Sequence, residues 1–424
     1  MERIVCFGAG PVFKGGLANY NTSLAKAFDK RGDVEVHIVS WTQQYPSIIP
    51  RDFIDRKSKT DLMEGTKIKV HYITNYNNPL SWTKTARLIR SINPSKVIFQ
   101  WSIAIQGLPV GRIARMLKSS PDIELLFDLH FVIQKENSKT DRLFTKFALS
   151  QADSFVVHSK KTGQELESLF PEKQFIYKDN YSDMNDGDKT PIIKLYHPVY
   201  NMFSPDPQFD VENQKKEWGI RKYGFLFFGF IRKYKGLHHV IEAFAKMAAK
   251  RDDVTLLIVG ESFWQTLDNK KLSTRIKQVV FGIAKAVMVK KEDDEKNYRP
   301  LELIEKYNLQ DKVFVMNDFV PNEDVHKYFQ VSDAIVLYYS YATPSGVESI
   351  ACNFSLPILA TRVGHFPETV KDGYNGYLAA PDDIGSMAAA MEKIITQPVN
   401  RANVAEASRE MSWDNYAAAI LGRP

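Results

Sequence analysis

Residues 333–376 read DAIVLYYSYATPSGVESIACNFSLPILATRVGHFPETVKDGYNG, and this stretch decides the fold. Ala334 to Tyr339 is an unbroken apolar run of strand length, the pattern of a parallel strand buried on both faces. It runs into the turn-forming Thr343-Pro344-Ser345-Gly346 and then into a helix-compatible segment from Val347 to Asn353. Pro357 to Arg362 predicts a second short buried strand, and His365-Phe366-Pro367-Glu368 starts another helix after Gly364. Strand, glycine turn and helix, repeated, is the rhythm of a doubly wound α/β domain. Gly346 then opens a helix at the carboxyl end of a strand, where backbone N–H groups and the helix dipole suit an anion. The rhythm by itself names no ligand.

On these residues the stretch resembles the donor-binding core of glycosyltransferase family 4, whose members are retaining, nucleotide-sugar-dependent enzymes of the GT-B fold. Pro357, Ala360 to Gly364, Pro367 and Glu368 carry the likeness. The family's paired glutamates would fall at Ala342 and Ile350, and neither position is acidic. The turn instead reads Ala342-Thr343-Pro344-Ser345-Gly346-Val347-Glu348, as in relatives of a Ser-Gly subgroup lacking those glutamates. The resemblance implies an α/β GT-B architecture, two Rossmann-like doubly wound domains facing a central cleft. Residues 1–197 would form the acceptor-side domain and 198–405 the nucleotide-sugar-binding domain. Residues 406–424, from around Ser412-Trp413-Asp414, would supply a helix packing back toward the first domain.

The 424 residues suffice for two domains with separate cores, and 44% hydrophobic with 25% charged residues is a globular composition. No apolar run approaches the roughly 20 residues that a membrane helix needs. Met1 to Phe7 reads as a strand entering a glycine loop rather than as a signal peptide. The two cysteines, Cys6 and Cys352, lie in apolar segments, which argues against a disulfide or a zinc site and for a reducing cytosol. A net charge of +6 suits anionic substrates or an anionic membrane face and demands neither. The expected location is therefore the cytoplasm, with the inner membrane face as an alternative.

The first strand and helix enclose Gly8-Ala9-Gly10-Pro11-Val12-Phe13, and Phe13 stands where a dinucleotide fingerprint needs its third glycine. Gly15-Gly16 sits at the helix entry instead. The family likeness implies close backbone approach there to donor phosphate or acceptor, and the competing reading is a tight packing turn. Val34 to Trp41 and Lys67 to Tyr72 predict further strands, with a polar, aromatic loop between them on the acceptor side. Ser81 to Ser91 reads as an amphipathic helix, and Lys96 to Trp101 as a buried strand. Arg112, Arg115 and Lys118 are spaced along a solvated helical face; a membrane-facing basic patch is the minority reading.

His130 ends the strand Glu124 to Leu129 at the carboxyl edge, where α/β sites gather. The resemblance gives it the donor sugar as partner; a hydrogen-bonded core histidine is the alternative. Asp153 to Ser159 matches a family strand, and His158 within it reads as structural. Asp186-Gly187-Asp188 is an Asp-x-Asp triplet, but it lies in a polar loop rather than after an apolar strand, so no metal is expected. His197-Pro198-Val199-Tyr200 begins the crossing into the second half.

That half opens with FLFFGFIRKYKG, residues 225–236. Lys235 and Gly236 match the family's phosphate-binding loop in spacing from Gly229; Phe230 replaces the usual arginine, and Arg232 is assigned its place. Residues 262–298 read as an insertion with a basic amphipathic helix from Asn269 to Val289, packed on its own domain or lying on an anionic membrane. Asp318-Phe319-Val320-Pro321 matches the family loop whose backbone holds the nucleotide base.

The implied function is transfer of a sugar, with retention, from a UDP- or GDP-linked donor to a glycan or lipid-linked acceptor in cell-surface polysaccharide or glycolipid synthesis. His130, Arg232 and Lys235 would be catalytic. Gly15, Gly16, Phe319, Val320, Ser345, Gly346, Val347 and Glu348 would bind the donor, with Glu348 on the ribose. No cofactor, metal or nucleic acid enters this reading, and peripheral contact with an anionic membrane remains its optional partner. A GT-B protein that binds a nucleotide sugar or glycan without turnover is the rival. A sugar-nucleotide epimerase fits less well, because no cluster of acid–base carboxylates appears.

Overall fold

A computed structural model describes residues 1–46, 53–133, 138–181, 187–262, 297–344 and 346–423. Ser345, Asp186 and the amphipathic helix expected over 269–289 lie outside them.

The first sheet holds β1 (Glu2–Phe7), β2 (Val34–Gln43), β3 (Lys69–Asn75), β4 (Lys96–Trp101), β5 (Glu124–Leu129), β6 (Ser154–Val157), β7 (Phe175–Lys178) and β8 (Thr190–Lys194). They lie in the order β3-β2-β1-β4-β5-β6-β8-β7, every neighbouring pair parallel. The second sheet holds β9 (Tyr223–Phe228), β10 (Val254–Val259), β11 (Val313–Met316), β12 (Ala334–Leu337), β13 (Ile358–Thr361) and β14 (Gly376–Ala379). Its order is β11-β10-β9-β12-β13-β14, again all parallel. In both sheets the chain starts in the middle, winds to one edge, returns and winds to the other. Each therefore has a switch point, beside β1 or β9, where a crevice opens at the carboxyl ends of the strands.

Apolar continuity explains why the central strands form as they do. β4 and β10 are buried along their whole length, as helices on both faces of a parallel sheet require. Each fully buried phenylalanine or branched aliphatic side chain contributes about 1.5–3 kcal/mol. β3 runs past Tyr72 to Asn75, beyond its apolar pattern, because Thr74 is buried with its hydroxyl 2.8 Å from that of Thr85. Arg112, Arg115 and Lys118 are exposed along Gly107–Leu117 and its cap, and Lys118 pairs with Asp153.

The chain closes on its own beginning. Helix Trp413–Leu421, capped by Ser412, lies against helix Gly16–Arg31, with the Trp413 ring 5.0 Å from that of Tyr20 and Lys30 2.7 Å from Asp414. The Tyr416 hydroxyl donates to Asp128 Oδ2 at 3.1 Å, so the C-terminal helix is bonded to the first sheet. Among the described residues no helix is long and apolar enough to cross a membrane.

Candidate active site in the cleft between the sheets

A cavity of about 520 Å³ lies between the carboxyl edges of the two sheets. Gly15, Gly16, His130, Arg232, Lys235, Phe319, Val320, Gly346 and Val347 all line it. Residues more than three hundred positions apart in sequence are thus brought to one space, and the parallel topology is what does it: the segments that follow β1, β4, β5, β9, β10, β11 and β12 all reach the cavity.

The wall from the second sheet is built on tight backbone turns. β9 ends at Gly229, whose φ of +93° and close neighbours leave little room: an added Cβ would lie 3.0 Å from Lys235 Nζ and 3.4 Å from Val347. The following loop carries Arg232 and the short turn Lys233–Lys235. Gly236 then enters helix Leu237–Ala248 at φ +66°, where any Cβ would come within 2.0 Å of the Tyr338 carbonyl. That contact fixes the loop against β12 and leaves Lys235 buried, its ammonium 5.8 Å from the Tyr339 ring centre. Next to it helix Gly346–Asn353 begins, its N-terminus aimed at the same cavity. Two cationic side chains and a helix N-terminus are groups that can hold an anion, and the carboxylates of Glu261 and Asp318 line the same wall.

The wall from the first sheet is of a different kind. His130 follows β5 and is buried, with Nε2 2.7 Å from Gln100 Oε1. Gln100 donates its own Nε2 to Asp128 Oδ2 at 3.3 Å, so its oxygen must face the histidine and accept. That chain of bonds assigns the His130 proton to Nε2. Burial pushes the imidazole down to about 4, against the pull of Asp128 and with the help of His158. His130 is therefore neutral near pH 7, and a neutral ring tolerates positive charge developing beside it where an imidazolium would repel it.

Asp128 anchors this wall. Burial works to raise its carboxyl, but His158 beside it, 2.8 Å away, overcomes that and holds it below its usual value. Asp128, His130 and His158 offer donor atoms close enough to suggest a metal cluster. The direct 2.8 Å contact between Asp128 and His158 is shorter than the roughly 3.3 Å that separates tetrahedral ligands lying about 2.0–2.1 Å from one ion. Gln100 and Tyr416 hydrogen-bond the other carboxylate oxygen, and Gln100 also takes His130 Nε2.

The crossing segment ties the walls together. His197 Nδ1 lies 2.7 Å from the Ser349 hydroxyl, on the helix that opens at Gly346, and burial lowers its pKa well below the usual value. Tyr20 packs edge-on against both His130 and His197, at 4.6 and 5.0 Å. The Tyr200 hydroxyl donates to the Gly16 carbonyl at 2.7 Å, while an added Cβ on Gly346 would come within 2.5 Å of the Tyr200 ring. Tyr200 is thus the wedge between the two glycine turns. Nothing in its local sequence signals this, since the contacts are made across domains.

Glu348 stands apart from the other candidate residues. It is buried outside the cavity lining, its carboxylate held by His365 and, at 2.5 Å, by the Thr369 hydroxyl. It lies two positions on from Gly346, on the helix face turned toward His365 and Thr369. Phe230, Tyr339 and Thr343 also line the cavity, although the sequence assigns none of them a binding role.

Comparison with known proteins follows this division of the molecule. The chain is 22% identical over 316 residues to spore coat protein SA of Bacillus subtilis, covering 72% of this chain and 71% of that protein. It is 24% identical over 224 residues to the N-acetyl-alpha-D-glucosaminyl L-malate synthase of Bacillus anthracis, covering 51% of this chain and 49% of the synthase. Anabaena HepE in complex with UDP-glucose superposes over 100% of both chains with a TM-score of 0.65 at 16% identity, which shows the shared GT-B fold of two parallel-sheet, Rossmann-like α/β domains. Residues 210–411, which build the cationic wall and the sheet behind it, match the family described as Glycosyl transferases group 1.

Proposed function

We propose that this protein is a nucleotide-sugar-dependent, retaining hexosyltransferase of the family 4 type, acting on a glycan or lipid-linked acceptor in cell-surface polysaccharide or glycolipid synthesis. The observation that carries the reading is one cavity with Arg232, Lys235 and a helix N-terminus on one side and a buried, neutral His130 on the other. A nucleotide sugar divides its charge in the same way as its bond to the sugar breaks: negative on the leaving diphosphate, positive on the sugar ring. Arg232, Lys235 and the N-terminus of helix Gly346–Asn353 stand where the diphosphate charge would be stabilised, and fixed groups of this kind need no reorganisation as the charge develops. Neutral His130 stands across the cleft, where the sugar ring would lie. Phe319 and Val320 would take the base. With these cations in place the transfer needs no metal ion, and in a retaining path the departing phosphate itself assists deprotonation of the acceptor hydroxyl.

The rival, a binder without turnover, draws on one observation: the nearest helix carboxylate, Glu348, is engaged by His365 and Thr369. The deciding experiment incubates the protein with UDP- and GDP-sugars and with glycan and lipid-linked acceptors, with and without EDTA, and reads product by mass spectrometry. Sugar transferred in EDTA supports the proposal. Donor binding with no product across the panel favours the silent binder, and turnover abolished by EDTA and restored by manganese overturns the metal-free reading.

A further inference from the structure

The sequence sets the loop after β2 on the acceptor side, yet residues 53–60 reach the other domain. Their root is fixed to the glycine loop: Lys14 N–H donates to the Phe53 carbonyl and Asp55 N–H to the Val12 carbonyl, both at 2.8 Å, and Phe13 and Ile54 form an antiparallel bridge. Asp55 Oδ1 then accepts the N–H groups of Lys57 and Ser58 at 3.0 and 3.1 Å, which folds the segment into a tight turn. The tip of that turn docks on the loop of residues 318–323. Lys57 Nζ lies 2.5 Å from Asp318 Oδ2, Asn322 N–H donates to Ser58 Oγ at 3.0 Å, and Lys59 N–H donates to Glu323 Oε1 at 3.1 Å. On the cavity side, Lys14 Nζ stands 4.9 Å from the Phe319 ring centre.

An exposed ion pair such as Lys57–Asp318 is a weak restraint alone. The two bonds that involve backbone N–H groups are different, because they fix register as well as distance. Asp55 and Lys14 from the first domain line the same cavity as Asp318, Phe319 and Asn322 from the second, so the contact forms part of the cavity wall.

We infer that segment 53–60 is a positioning element of the donor site, closing the wall against which the nucleoside base rests, so that the base is held by both domains. The inference rests on the donor reading proposed above. Its consequence is selective: the diphosphate is held by Arg232, Lys235 and the Gly346 helix, away from this contact, so loosening the segment should weaken recognition of the base and spare that of the phosphates.

The test measures binding of UDP, GDP and inorganic pyrophosphate by calorimetry to the full chain and to the double variant Lys57→Ala/Glu323→Ala, with melting curves to establish that the variant is folded. The expected result is an affinity about tenfold lower for the nucleotide that binds wild type, the scale of two lost polar contacts, with pyrophosphate affinity kept within about twofold. Glu323→Gln, which retains an acceptor oxygen for the Lys59 N–H, should stay near wild type. Unchanged nucleotide affinity in the folded double variant overturns the inference while leaving the donor reading intact. An equal loss on pyrophosphate also overturns it, since the segment would then only hold the cleft together. Should wild type bind neither nucleotide, the donor reading falls and the inference with it.

Discussion

His130 and Lys235 face one cavity from opposite sheets, and they are held there by contrasting means. His130 is locked into a chain of side-chain bonds that runs through Gln100 to Asp128 and on to Tyr416 of the C-terminal helix. Lys235 is set by the backbone: a glycine that no other residue can replace without meeting the Tyr338 carbonyl, and a turn that ends where a helix begins. The first arrangement keeps a titratable ring neutral by burial; the second brings fixed positive charge to the mouth of a sheet. On the proposed function the two belong to the two halves of a breaking bond, and each can be perturbed without the other.

The largest effect should come from acid. A histidine held at about 4 when folded and returning to its ordinary 6.5 when unfolded binds its proton more readily in the unfolded chain. Its contribution to stability is therefore complete above pH 6.5 and is lost as pH falls toward 4, by on the order of 3 kcal/mol over that interval. His197, lowered by burial as well, acts in the same direction. The His130 share is read as the difference between wild type and His130→Asn in urea unfolding at steps between pH 7 and 4.5. Parallel curves for the two proteins would mean that His130 is not buried neutral.

His130→Ala tests the same wall at the chemical step. Turnover should fall by about 10²-fold, the low end for a positioned polar group at a reacting centre, with nucleotide affinity almost unchanged. Equal turnover would make His130 a core residue and favour the silent binder, whereas an equal loss of nucleotide binding would move it from the sugar to the nucleotide. Lys235→Ala should give the converse. Donor affinity should drop by about 2 kcal/mol, the scale of one charge-assisted hydrogen bond, in titration calorimetry. An unchanged affinity in a folded variant would dissolve the contrast between the walls.

How much of this is legible in the sequence follows the same contrast. The second wall is local: an apolar strand, Gly229, Lys235-Gly236 and a helix lie within one short run, and Ala334 to Gly364 repeats the pattern. Local geometry writes itself as glycine spacing. The first wall is legible only as the end of a strand, because what holds His130 comes from β4, from the residue before Leu129 and from the last helix of the chain. Tyr200 and residues 53–60 escape notice for the same reason; their partners at Gly16, Gly346 and 318–323 are distant in sequence, and no periodicity encodes such a contact. Glu348 is a different case. Its place near the expected glutamates suggests a ribose ligand, while the bonds that hold it in the folded chain, to His365 and Thr369, come from a later turn that its own helix does not encode.

Glu348 also gives the smallest predicted effect, and the one that most sharpens the division. If the second wall binds its ligand through backbone turns, Arg232 and Lys235, then a carboxylate two positions inside the helix matters only for how that helix is seated. Glu348→Gln keeps an acceptor for the Thr369 hydroxyl and replaces a charged partner of His365 by a neutral one. Stability should fall by about 1 kcal/mol, the net worth of a buried hydrogen bond weakened rather than deleted. Donor affinity should stay within about twofold, because the side chain does not line the cavity. Calorimetry on the folded variant decides the matter: a tenfold or greater loss of nucleotide binding, with pyrophosphate binding retained, would return Glu348 to the ribose and mean that the helix turns when the donor enters.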